Sequence, residues 1–171
     1  MSLPAVVLRP VYDHLTGGAF PEAVYLLYQL LEERPEIANI SHSKMPSFEE
    51  HVLYVRSMPY REWWIVTAPP QEPRKGLAET VHFEPVSIGA VYATEANEVG
   101  VAIFKRFWRR GYAEAALRLL LGQIEPAPAI SGERRGAFVA HVAPGNEASH
   151  ALFRKLRGKP VQITYELPRG G

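Results

Sequence analysis

Two periods of apolar residues run along this chain. Helical spacing appears in four stretches. In "PEAVYLLYQLLEERP" (21–35), Val24, Leu27, Tyr28 and Leu31 follow the i, i+3, i+4, i+7 rule, Pro21 opens the helix and Pro35 closes it. In 47–58, Ser47 with Glu50 three residues on reads as a capping box. A third helix starts near Gly111 and runs to about Gln123, with Ala113, Ala116, Leu117, Leu120 and Ile124 on its inner face. A fourth covers 146–156 with Asn146 as N-cap. Short β-branched or aromatic runs predict six strands, at 5–12, 62–68, 86–96, 98–104, 137–143 and 161–167. A tight turn near Ala96 and Asn97 joins the third and fourth. The proline-rich stretch 69–76 and residues 126–136 read as loops.

The order β α α β β β α β α β predicts a mixed α+β protein with a mostly antiparallel sheet flanked by helices. No repeat, low-complexity tract or break interrupts it, so residues 1–171 are expected to form a single domain.

Composition narrows the chemistry. With 47% apolar and 22% charged residues the chain is globular, and a formal net charge of +1 means that anion binding must come from local clustering. The absence of cysteine removes disulfides, thiolate catalysis and cysteine-ligated metal, and fits a cytoplasmic protein. No apolar run is long enough to span a membrane, and the N-terminus lacks the basic leader of a signal peptide.

One stretch, "RFWRRGYAEAAL" (106–117), puts three arginines at a helix N-terminus, where cations are unfavourable unless an anion arrives. A strand–loop–helix junction with glycine lets backbone N–H groups face a phosphate. Lys105, Arg106, Arg109 and Arg110 supply countercharge. The loop is neither a Walker A sequence nor GxGxxG. Phe104, Phe107 and Trp108 interleave with the cations as in single-strand nucleic-acid binders, but one short loop in a near-neutral chain is a small footprint.

"EVGVAIFKRFWRRGYAEAALRLLL" resembles the acetyl-coenzyme-A motif of the GNAT N-acetyltransferase superfamily, [Q/R]-x-x-G-x-[G/A], here Trp108-Arg109-Arg110-Gly111-Tyr112-Ala113. Tryptophan at the first position is similar to the branch of ribosomal-protein alanine acetyltransferases. That branch continues G-Y-x-x-E-A, where this chain has Ala115 and places Glu114 one residue earlier. "AHVAPGNEASHALFRKL" (140–156) resembles the family's A-x-V-x-x-x-N-x-x-S-x-x-x-x-x-K-L.

The resemblance implies acetyl-CoA as cofactor and an amine as acceptor: a protein N-terminus, an amino sugar or a small amine. It implies that backbone groups of Val101, Ala102 and Ile103 pair with pantetheine. It further implies that N–H groups of Arg109, Arg110, Gly111, Tyr112 and Ala113 hold the pyrophosphate, that Asn146 bonds the pantetheine arm, and that Ser149 and Phe153 lie beside the thioester. Many members carry tyrosine at the Phe153 position as general acid, which phenylalanine cannot be. Ser149, water or an unassisted thiolate then takes that role. The last crossover is expected to differ in shape, since "RKLRGK" stands for the usual K-L-G-F.

Acetyl transfer also needs the amine deprotonated. Candidate bases are Glu98, His141, Glu95 and His82. The acceptor region is expected around 36–50, with His42, His51, Tyr54, Trp63 and Trp64 in or near it. His42 and His51 match no compact metal-ligand spacing, and no metal is expected. Two other classes stay open: a catalytically silent acyl-CoA-binding scaffold, which the missing tyrosine favours, and a small nucleic-acid-binding domain. A homodimer is also left open.

Overall fold

The computed structural model describes residues 2–35, 44–69, 85–128 and 136–164. Four strands form one antiparallel sheet in the order β1-β2-β3-β4: β1 (Val7–Pro10), β2 (Glu62–Ala68), β3 (Val86–Ala93) and β4 (Val99–Ile103). Four helices accompany it: α1 (Pro21–Glu32), α2 (Phe48–Arg56), α3 (Tyr112–Gln123) and α4 (Glu147–Lys155). The mixed α+β architecture expected from the chain is the one found.

The sheet is covered on both faces, which is why β2 is buried almost continuously rather than at alternate positions. On one face Trp63, Ile65 and Ala90 pack with Val24, Leu27 and Leu30 of α1 and Val55 of α2. On the other, Val66, Val91, Ala93 and Val99 pack with Ala116, Leu117 and Leu120 of α3, and Leu152, Phe153 and Leu156 of α4 lean on the same cluster. Trp63 and Trp64 thus face opposite sides, and both are packing residues. Trp64 sends its indole N–H to Glu62 Oε2 at 3.0 Å.

Local signals account for the helix starts. Pro21 sits at the start of α1, where a missing N–H costs nothing. Ser47 and Glu50 form both bonds of the capping box on α2. Asn146 Oδ1 accepts the Ser149 N–H at 3.1 Å to cap α4. The inner faces are rotated slightly from expectation. Leu30 rather than Leu31 is buried in α1, and Ala115 rather than Ala113 in α3. Helix α1 also ends at Glu32, short of Pro35, because the residue before a proline is driven out of the helical region and the last turn unwinds ahead of it.

Two expected strands are corrected. Residues 137–143 make one parallel bridge only among the described residues, Val139 to Glu98. Residues 161–164 are exposed and outside any assigned strand, and the rest of 161–167 lies outside the described residues. For 137–143, β-propensity alone does not make a strand without a paired edge. The edge strands are also shorter than expected at β1 and β4. The loop 69–76 lies almost wholly outside the described residues.

The β3–β4 turn is fixed by a buried asparagine. Asn97 takes a left-handed φ of 62°, which asparagine tolerates better than most residues. Its side chain clamps Ala127 twice, with Nδ2 donating to the carbonyl at 3.0 Å and Oδ1 accepting the N–H at 2.6 Å. Thr94 Oγ1 accepts the Glu98 N–H at 3.0 Å, so the residue that opens β4 is held from the turn.

Candidate active site

The site is built around the outer edge of β4. The Phe104 N–H donates to Ile88 O and the Thr94 N–H to Glu98 O, so even-numbered residues here bond to β3. By the alternation of an antiparallel pair, Val99, Val101 and Ile103 turn their backbone groups outward. At one end that edge is taken: the Val99 N–H donates to Val139 O at 2.8 Å, and the Val139 N–H donates to Asn97 O at 2.9 Å. Beyond it, among the described residues, no strand pairs with the outer edge of β4. This narrows the backbone edge expected of Val101, Ala102 and Ile103. Val101 and Ile103 turn to that open edge, while the backbone of Ala102 faces Ala90 of β3.

After β4 comes the loop that leads into α3. Lys105–Phe107 form one 3-10 turn after β4. Arg109 (φ 59°) and Gly111 (φ 82°) are both left-handed, and α3 follows. Successive N–H groups in such a turn form an anion-binding concavity. Among the described residues, none of the N–H groups of Arg109, Arg110, Gly111, Tyr112 and Ala113 has a hydrogen-bond partner. Glycine is required twice over at 111. Its φ is positive, and a Cβ there would sit 3.1 Å from Pro4 Cδ.

The arginines divide. Arg106 turns back onto the rings of Phe104 and Phe107, 4.8 and 5.0 Å from their centres. Arg110 lies 5.8 Å from the Phe107 ring, and Arg109 is exposed. The Lys105 N–H donates to Glu33 at the end of α1 at 2.8 Å.

Beside the bridge of Val139 to Glu98, two of the candidate bases meet. His141 Nε2 lies 3.0 Å from Glu98 Oε1, and both side chains are substantially exposed. Glu98 opens β4 on the face that carries Tyr92. Tyr92 stacks on Tyr60 with ring centres 4.1 Å apart, Tyr60 meets Trp63 edge-on at 4.7 Å, and Tyr54 donates its hydroxyl proton to Tyr60 Oη at 2.9 Å. Burial raises the pKa of both Tyr60 and Tyr92, so these phenols stay protonated donors. The sequence reading singled out Tyr54 and Trp63 but missed Tyr60 and Tyr92. Tyr60 lies in the loop before β2, and an alternating residue such as Tyr92 on β3 carries no mark of which face it joins.

The remaining candidates sort by position. Asn146 Oδ1 is engaged as the α4 cap, which leaves its amide nitrogen for other partners. The Ser149 hydroxyl has no partner among the described residues, and Phe153 is half-buried against the second core cluster. Glu95 is exposed and stands apart from the pair. His51 is 2% exposed with Nε2 3.1 Å from Val24 O, a structural histidine rather than an acceptor-site one. His42 and His82 lie outside the described residues.

A family model described as "Acetyltransferase (GNAT) domain" matches residues 48–159. The fold is similar to a domain from Methanocaldococcus jannaschii, with a TM-score of 0.68 and 17% identity over 95% of this chain and 93% of that one. It is also similar to an acetyltransferase from Thermus thermophilus, with a TM-score of 0.56 and 17% identity over 91% and 88% of the two chains. No curated protein matches the chain.

Proposed function

The chain belongs to the GNAT acetyltransferase family, and we propose that it is an N-acetyltransferase that moves the acetyl group of acetyl-CoA directly to an amine. The observation that carries this reading is the Glu98–His141 pair at the start of β4, whose outer edge leaves the backbone groups of Val101 and the N–H of Ile103 without a strand partner among the described residues.

The residues fit such a cofactor. N–H groups of Arg109, Arg110, Gly111, Tyr112 and Ala113 would hold the pyrophosphate, with Arg109 and Arg110 adding countercharge. The outward N–H and C=O of Val101 would bind the pantetheine arm as an added strand does, with the Ile103 N–H beside its acetyl end, and the amide nitrogen of Asn146 would donate to the arm. Acetyl-CoA supplies an activated thioester. The Glu98–His141 pair accepts the proton that the amine gives up as its nitrogen bonds to the acetyl carbon and the carbon–sulfur bond breaks. The Ile103 N–H polarises the acetyl carbonyl. A thiol leaves readily without a protonating phenol, since its pKa is only ~8.5. That makes the phenylalanine at 153 compatible with turnover, with Ser149 or water returning the proton.

Phe153 also supports a second reading, a protein that binds acyl-CoA without chemistry. Incubation with acetyl-CoA and a panel of amines decides between them, with free thiol as the readout. The panel includes peptides with N-terminal alanine, for which the likeness to the ribosomal-protein branch is the reason, along with amino sugars and small amines. Thiol release that depends on one amine class supports the transferase. Tight coenzyme A binding with no turnover supports the silent binder. Thermal stabilisation by oligonucleotide and not by coenzyme A overturns both.

A further inference from the structure

Trp108 is left unexplained by the cofactor reading, and its surroundings explain it. The side chain is 45% exposed, so packing does not account for a tryptophan there. Its indole N–H donates to the carbonyl of Ile103 at 2.6 Å, across the 3-10 turn. That carbonyl is on the outward edge of β4, where it would otherwise be an unpaired acceptor at the end of the strand.

The chain around it is pinned up to this point and free after it. The Lys105 N–H is held by Glu33, the Phe107 N–H by Phe104 O at 2.9 Å, and the Trp108 N–H by Lys105 O at 3.1 Å. From Arg109 to Glu114 no backbone N–H has a partner among the described residues; the next bond is that of Ala115 to Gly111 O. The indole is therefore the last fixed point before the left-handed turn at Arg109, a conformation that a non-glycine residue holds only when its neighbours impose it.

We propose that Trp108 is a positioning residue. Its indole N–H locks the end of β4 to the start of loop 109–113 and so sets the direction in which that loop presents its N–H groups to a pyrophosphate. Filling the Ile103 carbonyl has a second effect. It leaves the Ile103 N–H as that residue's open group on the outer edge of β4, so an incoming acyl carbonyl meets a donor and not a competing acceptor. The inference rests on the acetyl-CoA reading for the identity of the ligand, but the lock itself does not.

Two measurements test it. In the ligand-free protein, hydrogen exchange followed by nuclear magnetic resonance should show the Trp108 indole N–H protected relative to a free indole. Exchange at the free rate overturns the lock. Calorimetric titration then compares wild type with Trp108→Phe and Trp108→Ala, using coenzyme A and, as a ligand without phosphates, pantetheine. Both variants should bind coenzyme A about tenfold more weakly, about 1.4 kcal/mol, while pantetheine binding stays within about twofold. Coenzyme A affinity unchanged in Trp108→Phe overturns the proposal, because the ring and not its N–H is then what counts. Equal weakening of both ligands overturns it too, since the effect would then lie on β4. A wild-type protein that binds no coenzyme A defeats the acetyl-CoA reading, and the exchange measurement still decides the lock.

Discussion

His141 Nε2 stands 3.0 Å from Glu98 Oε1, although 43 residues of chain separate them. A single parallel bridge, Val139 to Glu98, makes the meeting possible. The pair is exposed, and exposed polar pairs of this kind contribute little to stability. Its place at the start of β4, beside the strand's open outer edge, points to chemistry. Glu98→Gln should lower kcat by about 10²-fold or more, with KM for acetyl-CoA little changed. Because the pair adds so little to the fold, the melting temperature should move by less than about 2 °C. Steady-state kinetics and a melting curve on one preparation check both halves. A variant with wild-type kcat removes Glu98 from the mechanism.

Gly111 meets two demands, and its variants separate them. Gly111→Ala adds a Cβ at φ 82° facing Pro4 and should cost about 1–2 kcal/mol, a fall of roughly 2–8 °C in melting temperature. Gly111→Glu adds the same strain and puts a carboxylate beside the phosphate-facing N–H groups. Coenzyme A binding should be lost in that variant, while circular dichroism still reports a folded chain. Unchanged coenzyme A affinity in Gly111→Glu would move the pyrophosphate elsewhere.

Much of this arrangement is legible in the sequence because it is local. The capping box at Ser47 and Glu50, the Asn146 cap, the ends of β2 and the glycine at 111 are all encoded within a few residues of where they act. What is not legible is decided at a distance. Residues 137–143 have strand composition, yet among the described residues only Val139 pairs with an edge. Glu98 and His141 are each recognisable as candidates, but only the folded chain brings them into contact. That Val101 and Ile103 turn to the open edge of β4 while Ala102 faces β3 depends on the bonding phase set by the β3–β4 turn. The role of Trp108 is hidden in the same way, since its partner is a backbone carbonyl that carries no sequence signal.

Acid should expose the buried histidine of α2. Burial holds the His51 pKa below its ordinary value, partly opposed by the bond to the Val24 carbonyl. The native state therefore keeps the ring neutral where the unfolded chain protonates it, below a pH of about 6.5. The unfolded state binds more protons there, so stability is lost as pH falls below that value, until the folded histidine protonates as well. His51→Gln keeps an amide to donate to Val24 O and removes the titration. The gap in melting temperature between wild type and variant should narrow from about pH 7.5 to about pH 5. A constant gap would show that His51 does not contribute to acid sensitivity.

Asn97 holds the turn that leads into Glu98. Asn97→Ala deletes both bonds to Ala127 and puts a less tolerant residue at φ 62°. Two buried bonds at about 1 kcal/mol each and a further 1 kcal/mol or so of backbone cost predict a loss of about 3 kcal/mol. Asn97→Gly keeps the conformation and loses only the bonds, so it should recover part of this. Denaturant melts of the three proteins give the comparison. Activity should fall in Asn97→Ala even at temperatures where the protein is folded, because Glu98 and the Val139 bridge hang on that turn.

Tyr92 and Gly100 are paired across β3 and β4, and the phenol ring lies where a side chain on residue 100 would stand. The stack of Tyr92 on Tyr60, and through it the contact with Trp63, depends on that open space. Gly100→Ala should push the ring off Tyr60 and cost about 1–3 kcal/mol as an overpacking change. In the double variant Gly100→Ala with Tyr92→Leu, the shorter side chain clears the new methyl. Its loss should therefore be smaller than the sum of the two single losses by about 0.5 kcal/mol or more, as expected of residues in direct contact. Denaturant melts of the four proteins close the cycle. Strict additivity would mean that the ring does not occupy the space above Gly100, and the aromatic wall beside Glu98 would have to be rebuilt without Tyr92.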